Sequence, residues 1–453
     1  MIEEGIVSDT LNLPGLRTLR HVSSNGQHTY ESVSIEPEGP PCCTVPERKP
    51  NGTKTVMFID TPREGRPAII HHKRRRWKCR CGSTSYEVMP WAEPNRGITA
   101  RMGDWLFRQA ITRSCTSVAN DAGIDAKTVR DVFEDRAKPA VMAIRRKTPR
   151  VLGLDEKHIF GGFRAVMGDV EQRTMFWMLP ARNSDTLGAF FDKIPDPETV
   201  EVVTIDMYSG YRKLIPDYFP GATMVIDKFH ITRYATMALD RARAALRSTQ
   251  TKEQRVRLMH QRWTLLKRRK NWEQRHYNTF RKIKAVYPDL AEIYELKEQV
   301  CEIFDADHDR RAAEQAYLAW LDALPGRYKT YFKKFTTAMK NWGPEIFNYF
   351  DHRYTNAYIE RLNGMVDDAN RIGRGYSYRV LFFKTMLQHG VPKKRPKRID
   401  RRRDILDGVV YDLVAVDEMI EDMLAPYLDY DAIAGHGPLL STLSERFCDG
   451  ETW

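Results

Sequence analysis

The sequence contains no long hydrophobic segment. Among its 453 residues, no apolar run approaches the roughly 18 residues that a membrane-spanning helix requires. The first residues, MIEEGIVSDTLNLPGL, are acidic and have no continuous apolar core, so we do not expect a secretory signal. Internal repeats are absent as well. These absences favour a globular protein of the cytoplasm.

Cysteine is scarce and its number is odd. Seven cysteines are spread over the chain, which argues against a framework of disulfides. We therefore expect reduced thiols in a cytoplasmic protein.

Acidic residues are too few to balance the basic ones. The chain has 72 Lys and Arg against 60 Asp and Glu, a formal charge of +12. The other proportions, 42% hydrophobic and 29% charged, are those of an ordinary globular protein. The basic excess indicates a polyanionic partner, although a solvated basic surface remains the alternative.

The first third of the chain alternates loop, strand and helix patterns. Residues 36–52 are rich in Pro and Gly and predict a loop, whereas 54–60 and 66–78 predict short strands. Residues 102–147 have the pattern of three helices. Pro149 marks a boundary.

The pattern after this boundary predicts a mixed α/β layer. Three short strand patterns come first, and GDVEQRT between the second and third predicts an antiparallel hairpin. A helix with Ser184 as its N-cap, a strand, a short helix and a last strand follow. Residues 231–345 are almost entirely helical in pattern. A further helix places Tyr358, Leu362 and Met365 on one stripe.

Two strand patterns each end on a carboxylate. The runs before Asp206 and Asp227 are apolar, and Asp155 ends the first strand pattern, LGLD. Glu360 lies in the helix that follows the long helical block. Taken singly, each residue has an ordinary explanation as a turn residue, a helix cap or a solvated helix face. Taken together, they match a known arrangement.

The chain resembles the DDE transposases of bacterial insertion sequences, most closely the ISL3 family. The resemblance covers residues from about 40 to about 390 and rests on four stretches: VLGLDE (151–156), VTIDMYSGY (203–211), VIDKFHI (225–231) and NAYIERLNGMVDDANRIGRGYSY (356–378). The last stretch is the most specific, because an Asn precedes the Glu by four residues and Asn-Gly and Gly-aromatic segments follow.

The resemblance implies a catalytic metal site. It assigns Asp155, Asp206 and Glu360 as the catalytic triad and as the ligands of Mg²⁺ or Mn²⁺, with one Asp bridging two ions. Hard oxygen ligands suit these ions, and two ions about 3.5–4 Å apart serve phosphodiester cleavage and strand transfer. Three close carboxylates would repel one another without a cation.

Two further residues near this site have an open role. Asp227 and His230 either orient the metal ligands or the scissile phosphate, or are a turn Asp and a packed or capping His. Glu156 follows Asp155 directly and points to the opposite face of its strand, so we prefer Asp155 as the ligand.

Four of the cysteines cluster beside a basic run. The resemblance implies an N-terminal zinc domain, and Cys42, Cys43, Cys79 and Cys81 are its predicted ligands. Their spacings, Cys-Cys and Cys-x-Cys, depart from the usual C-x₂₋₄-C, so His71 or His72 remains a possible substitute ligand. The neighbouring Arg74, Arg75 and Arg76 are predicted to contact DNA.

Residues 114–136 have the pattern of a helix-turn-helix. Ala119 is small where two helices must touch, Gly123 permits the turn, and Asp125 caps the second helix. Val129 and Phe133 are predicted to face inward. The outward-facing residues of the second helix, which could reach a major groove, are Lys127, Thr128 and Arg130.

The predicted fold class is α/β: an RNase H-like mixed sheet with a large helical insertion, preceded by a zinc-ribbon-like module and a helix-turn-helix. The corresponding parts are a zinc-binding module (1–90), a helix-turn-helix domain (91–148), the first part of the catalytic core (149–235), the helical insertion (236–345), the Glu-bearing part of the core (346–392), and a basic linker with an acidic tail (393–453).

The sequence therefore predicts a transposase that binds terminal inverted repeats and catalyses two-metal-ion cleavage and strand transfer. Its partners are double-stranded transposon ends and target DNA, and by analogy it acts as a dimer or larger assembly associated with the nucleoid. The alternatives are an RNase H-like nuclease and a non-catalytic DNA-binding regulator derived from a transposase.

Overall fold

The computed structural model describes residues 11–24, 26–40, 42–43, 47–246 and 249–392. This part of the chain forms two compact units. The first contains the residues up to Ile144 together with Val366–Gln388, and the second contains Arg145–Met365 with the residues from His389. No helix of the described residues has the length and apolarity to cross a membrane. The predicted linker and tail, 393–453, lie outside the described residues.

A five-stranded sheet begins the first unit. Its strands are β1 (Leu16–Ser24), β2 (Gln27–Ser34), β3 (Arg48–Arg63), β4 (Arg66–Cys79) and β5 (Thr84–Tyr86), in the order β1-β2-β4-β3 with β5 also paired to β4. The two predicted strands, 54–60 and 66–78, are confirmed as parts of β3 and β4. The prediction of a loop over 36–52 is wrong from Arg48 onward, where β3 begins. The strands β1 and β2 had no counterpart among the sequence predictions.

Three helices follow in the first unit: α1 (Ala100–Thr112), α2 (Cys115–Ala122) and α3 (Ala126–Met142). The turn between α2 and α3 has the predicted chemistry. Gly123 has a left-handed φ of 67°, and the Asp125 side chain accepts a hydrogen bond from the Thr128 backbone N–H. Ala119, Val129 and Phe133 are buried as predicted.

The second unit is built on a mixed sheet. Its strands are β6 (Val151–Ile159), β7 (Gly162–Asp169), β8 (Thr174–Leu179), β9 (Val202–Ile205) and β10 (Thr223–Ile226), in the order β10-β9-β6-β7-β8. The β6–β7 and β7–β8 pairs are antiparallel, whereas β9 runs parallel to both β6 and β10. The predicted hairpin and mixed layer are confirmed.

Two local predictions in this sheet region are wrong. Asp155 does not end its strand, because β6 continues to Ile159 in its pairing with β7. Ser184 is not the N-cap of α4 (Ser184–Phe191) but its first residue. The cap is Asn183, whose side chain accepts a hydrogen bond from the Thr186 N–H at 2.9 Å. Adjacent Asn and Ser both suit a cap, and the backbone selects the first.

Helices make up the rest of the second unit, as the sequence predicted. They are α5 (Ser209–Tyr218), α6 (Lys228–Leu246), α7 (Lys252–Leu266), α8 (Gln274–Val286), α9 (Pro288–Asp305), α10 (Arg310–Ala323) and α11 (Lys329–His352). Two more helices follow along the chain: α12 (Ala357–Gly373), which belongs to the second unit up to Met365, and α13 (Tyr378–His389), which belongs to the first unit up to Gln388. On α12 the most buried apolar residues are Ile359, Leu362 and Val366. The predicted stripe through Tyr358 and Met365 is therefore displaced by one residue.

A pair of glycines lets α12 approach the sheet closely. Gly153 on β6 and Gly168 on β7 are direct cross-strand partners. A Cβ atom on Gly153 would lie 2.6 Å from Ile359 Cδ1, and one on Gly168 would lie 2.7 Å from the same atom. Side chains at these two positions would therefore push the helix away from the strands.

We expect Gly153→Ala to destabilise the second unit by about 1–3 kcal/mol, the usual cost of overpacking a core. The control is Gly364→Ala on α12, where an added Cβ meets nothing within 4 Å and φ is not left-handed. It should be neutral or stabilising by about 0.5–1 kcal/mol. Urea unfolding of both variants measures the difference, and equal stabilities would contradict the close packing.

Candidate functional site

Three aspartates lie level with one another across neighbouring strands. The β6–β9 pairing ends with Gly153 opposite Thr204, and the β9–β10 pairing ends with Ile205 opposite Ile226. Continuing this register places Asp155 beside Asp206 and Asp206 beside Asp227. The strands thus bring together residues that are 51 and 21 positions apart in the chain.

Asp155 is largely buried and is held by two hydrogen bonds. Its Oδ2 accepts from Asn363 Nδ2 on α12 and its Oδ1 accepts from the Glu156 backbone N–H, both at 2.7 Å. Burial first, and then the nearby charge of Asp206, raise the pKa of Asp155 to about 7. The site therefore resists additional negative charge, which a bound cation would relieve.

His230 lies between the two other candidate carboxylates. Its Nε2 is 2.9 Å from Asp206 Oδ1 and 3.6 Å from Glu360 Oε1. The hydrogen bond to Asp206 raises the pKa of His230 above its usual value. Glu360 is in the first turn of α12, and its side chain is 49% exposed. The structure thus places Asp206, His230 and Glu360 in one cluster.

Asp227 has a different environment. It is fully buried, and each carboxylate oxygen accepts a backbone hydrogen bond at 2.9 Å, one from Phe229 and one from Asn356. Burial raises the pKa of Asp227. Its two oxygens are directed at the first turn of α6 and at the residue before α12. The bond from Phe229 is the one expected of a turn Asp, and the bond from Asn356 ties the end of β10 to the start of α12.

Asn356 joins the helix to the sheet. Its side chain is fully buried, its Oδ1 accepts from Thr204 Oγ1 at 3.0 Å, and its Nδ2 donates to the Leu154 carbonyl at 3.3 Å. The amide thereby contacts β6 and β9, and its own backbone N–H binds Asp227. The sequence showed Asn356 and Asn363 as parts of a motif but gave neither a role.

Glu156 is engaged away from this cluster. It forms an ion pair with Arg182, whose guanidinium lies 3.9 Å from the centre of the Phe163 ring. This pairing agrees with the preference for Asp155 as the ligand.

The donor set suits a hard divalent ion. Carboxylate oxygens are the ligands that Mg²⁺ and Mn²⁺ prefer. The oxygens of Asp155, Asp206 and Glu360 do not all lie within 4.8 Å of one another; within the described ranges, only four cysteines meet that spacing with three or more donors. The three carboxylates are therefore not arranged to bind one ion together. Two ions could share them, because the ligands of two ions need not all lie close to one another.

The four cysteines are Cys42, Cys43, Cys79 and Cys81. Their sulfur atoms are separated by 4.0 Å (42–43), 3.8 Å (42–81) and 3.7 Å (43–79). A tetrahedral zinc ion with Zn–S bonds of about 2.3 Å requires sulfur separations of roughly 3.8 Å. The cluster therefore has the dimensions of a four-cysteine zinc site.

The cysteine cluster needs no histidine to complete four ligands. His72 is buried elsewhere, with its ring nitrogens 3.0 Å from Ser32 Oγ and 2.7 Å from Glu87 Oε1. His71 does not belong to the cysteine group either. Alternation along β4 turns His72 toward the core of the sheet.

The predicted DNA-contacting residues differ in how free their side chains are. On α3, Lys127 pairs with Asp131 at 2.6 Å and the Thr128 hydroxyl donates to Asp125 at 2.6 Å, whereas Arg130 is exposed and lies 4.0 Å from Asp131.

The three arginines of β4 also differ. Arg74 donates to the Glu87 carbonyl at 3.0 Å and lies over the Tyr86 ring, so its guanidinium is already engaged. Arg75 and Arg76 are exposed. Arg75 and Arg76 are thus better placed than Arg74 to contact a ligand.

Comparison with known proteins gives consistent matches. A family model described as a transposase of the ISL3 group matches residues 152–385, which is just over half of the chain. A second, described as the helix-turn-helix domain of transposase family ISL3, matches residues 87–137. The first range contains Asp155, Asp206 and Glu360, and the second contains Lys127, Thr128 and Arg130.

Individual relatives are also transposases by name. The chain is 24% identical over 350 residues to the transposase for insertion sequence element IS1001 of Bordetella parapertussis, covering 75% of this chain and 86% of the relative. It is 24% identical over 329 residues to the transposase for insertion sequence element IS1557 of Mycobacterium tuberculosis, covering 66% of this chain and 74% of the relative.

Proposed function

The chain belongs to the ISL3 family of insertion-sequence transposases, and we propose that it cleaves and joins DNA with Asp155, Asp206 and Glu360 as the ligands of two Mg²⁺ or Mn²⁺ ions. The observation that carries this proposal is that Asp155 on β6 lies beside Asp206 after β9, and that Asp206 and Glu360 on α12 both approach His230. Bound divalent ions would supply an activated oxygen nucleophile and stabilise the leaving oxygen.

The other residues of the site position these ligands. Asn363 fixes the orientation of Asp155, while Asp227 and Asn356 hold the start of the helix that carries Glu360. His230 donates toward Asp206 and carries positive charge more readily than an ordinary histidine, which offsets part of the local negative charge. We propose Asp227 and His230 as supporting residues rather than as ligands.

Two alternatives share parts of this picture. A nuclease would use the same carboxylates, but the helix-turn-helix and the relatives named as transposases favour transposition. A regulator without catalysis would not require three carboxylates gathered in one place. A strand-joining assay with a labelled element end distinguishes the three functions.

The second unit supports an RNase H-like description of the core. Three antiparallel strands followed by two parallel ones, with Asp155 on the first strand and Asp206 directly after the fourth, match the expected arrangement. On this basis we propose 149–235, 236–345 and 346–392 as the parts of the catalytic region, after an N-terminal module (1–90) and a helix-turn-helix domain (91–148). A helical insertion then separates Asp206 from Glu360 in the chain.

We further propose that Cys42, Cys43, Cys79 and Cys81 hold a structural Zn²⁺, since their sulfur separations suit it. Arg75, Arg76 and Arg130 would contact DNA directly, and Lys127, Thr128 and Arg74 would support them. Double-stranded element ends and target DNA are the proposed partners, bound in the cytoplasm at the nucleoid. Because two ends must be brought together, we expect a dimer or larger assembly.

The variant Asp206→Asn tests the metal assignment. Asn keeps the shape and the capping ability of Asp but removes the charge, so we expect a folded protein that binds element ends and does not cut or join them. Asp217→Asn, on the exposed side of α5, is the control and should retain activity. End binding, Mg²⁺-dependent cleavage and thermal melting are measured together. Substantial cleavage by Asp206→Asn would refute the assignment.

The variant Arg130→Ala tests base recognition by α3. A bidentate base contact is worth about 1–3 kcal/mol, so specific binding should weaken by that amount and non-specific binding should weaken much less. Arg108→Ala, an exposed arginine on α1, is the control. Titrations with element ends and with scrambled DNA provide the measurement. An equal loss on both DNAs would mark Arg130 as a phosphate contact instead.

Elemental analysis tests the zinc site. The full chain should contain about one Zn²⁺, and Cys79→Ser with Cys81→Ser should remove it and lower the melting temperature. His71→Gln should leave the zinc content unchanged, because His71 lies outside the cysteine cluster. A folded chain that takes up no zinc would contradict the proposal.

A further inference from the structure

A positively charged cleft lies between α6 and α11 in the second unit. Its volume is about 450 Å³, and its lining includes three cations, Arg241, Lys333 and Lys334, and two aromatic residues, Tyr234 and Trp342. None of the residues that line it is acidic. The proposed function assigns no role to this cleft.

The charges in the cleft are not neutralised. In the part of the chain that the structure describes, no carboxylate forms an ion pair with Arg241, Lys333 or Lys334. Asp240 next to Arg241 pairs instead with Arg243 and Arg262. Lys334 Nζ lies 4.6 Å from the centre of the Tyr234 ring. The cleft therefore offers three cations to an anionic ligand.

One aromatic wall is held in place. Trp342 interrupts the helical geometry of α11, with φ −125° and ψ 15°, two residues before Pro344. The Arg212 guanidinium lies 4.8 Å from its ring centre and is itself fixed by Glu345 at 2.6 Å and by the Asn341 carbonyl at 2.8 Å. A braced ring loses little freedom when a base stacks on it.

The cleft begins beside the carboxylate site. Met207, which lines it, directly follows Asp206, and Tyr234 is one helical turn beyond His230 on α6. A DNA strand whose phosphate reaches the carboxylates therefore has neighbouring nucleotides close to the cleft. Its volume of about 450 Å³ is in the range of sites that bind ligands of nucleotide size.

We propose that this cleft binds unpaired nucleotides of the DNA strand adjacent to the scissile phosphate. Arg241, Lys333 and Lys334 contact the backbone phosphates, and a base stacks on Trp342. This combination of cations and aromatic rings is typical of binding to single strands. The proposal rests on the proposed function, because it assumes that DNA is cut at the carboxylate site.

The test compares binding of two element ends, one fully paired and one with three unpaired nucleotides beside the cleavage position. Fluorescence anisotropy is recorded over a series of salt concentrations. We expect the wild type to bind the unpaired end about tenfold more tightly, because only unpaired nucleotides can reach the two lysines and place a base on Trp342. Lys333→Gln with Lys334→Gln should abolish this preference and reduce the salt slope by about 1.4, the value for two phosphate contacts to a single strand.

Two matched variants complete the design. Lys282→Gln with Lys284→Gln removes two exposed charges on α8, outside the cleft, and should keep the preference. Lys333→Arg with Lys334→Arg keeps the charge and should also keep the preference for the unpaired end. Equal binding of both ends by the wild type, or an equal loss on both ends in the Gln variant, would overturn the proposal.

Cleavage of the paired end by the wild type and by Asp206→Asn is measured in parallel. A lysine-dependent preference for the unpaired end, combined with normal cleavage by Asp206→Asn, would support the cleft and reject the metal assignment. Loss of cleavage in Asp206→Asn without any preference for the unpaired end would support the metal assignment and reject the cleft.

Discussion

The buried side-chain amide of Asn356 determines where the Glu-bearing helix stands. A buried amide without partners is costly, so its hydrogen bonds to Thr204 and Leu154 fix one geometry between α12, β9 and β6. Asp227 completes the arrangement through the Asn356 backbone N–H. Glu360 lies one helical turn further on, so its distance from the two aspartates depends on this network, together with its own approach to His230 at 3.6 Å.

The same network confines like charges to a small volume. Asp155 is buried beside Asp206. Its raised pKa shows that the ionised form of Asp155 costs more free energy in this site than it does in water. A fold selected for stability alone would replace such a pair with apolar side chains. Retaining it is understandable if a cation normally shares the site, with His230 offsetting part of the charge in its absence.

Sequence reasoning succeeded where the signal was local. Gly123 and Asp125 determine a turn and a cap within a few residues, and the strands before Asp206 and Asp227 end where their apolar runs end. It failed where the cause is distant. That Asp155 lies inside β6 depends on the pairing with β7, and the roles of Asn356 and Gly153 depend on contacts across about two hundred residues. A single sequence contains no signal for such contacts beyond the residue types themselves.

The cysteine cluster shows why ligand spacing is only an indirect guide to a metal site. The usual two to four intervening residues let one turn present two sulfurs to the same ion. Here Cys79 ends β4 and Cys81 lies in the turn that follows, where Gly82 adopts a left-handed φ of 92°. The β3–β4 pairing, which sets Arg48 opposite Cys79, brings the segment that precedes β3 alongside this turn. Each short pair therefore places its sulfurs by strand register rather than by spacing, and the condition that matters is the distance between donor atoms.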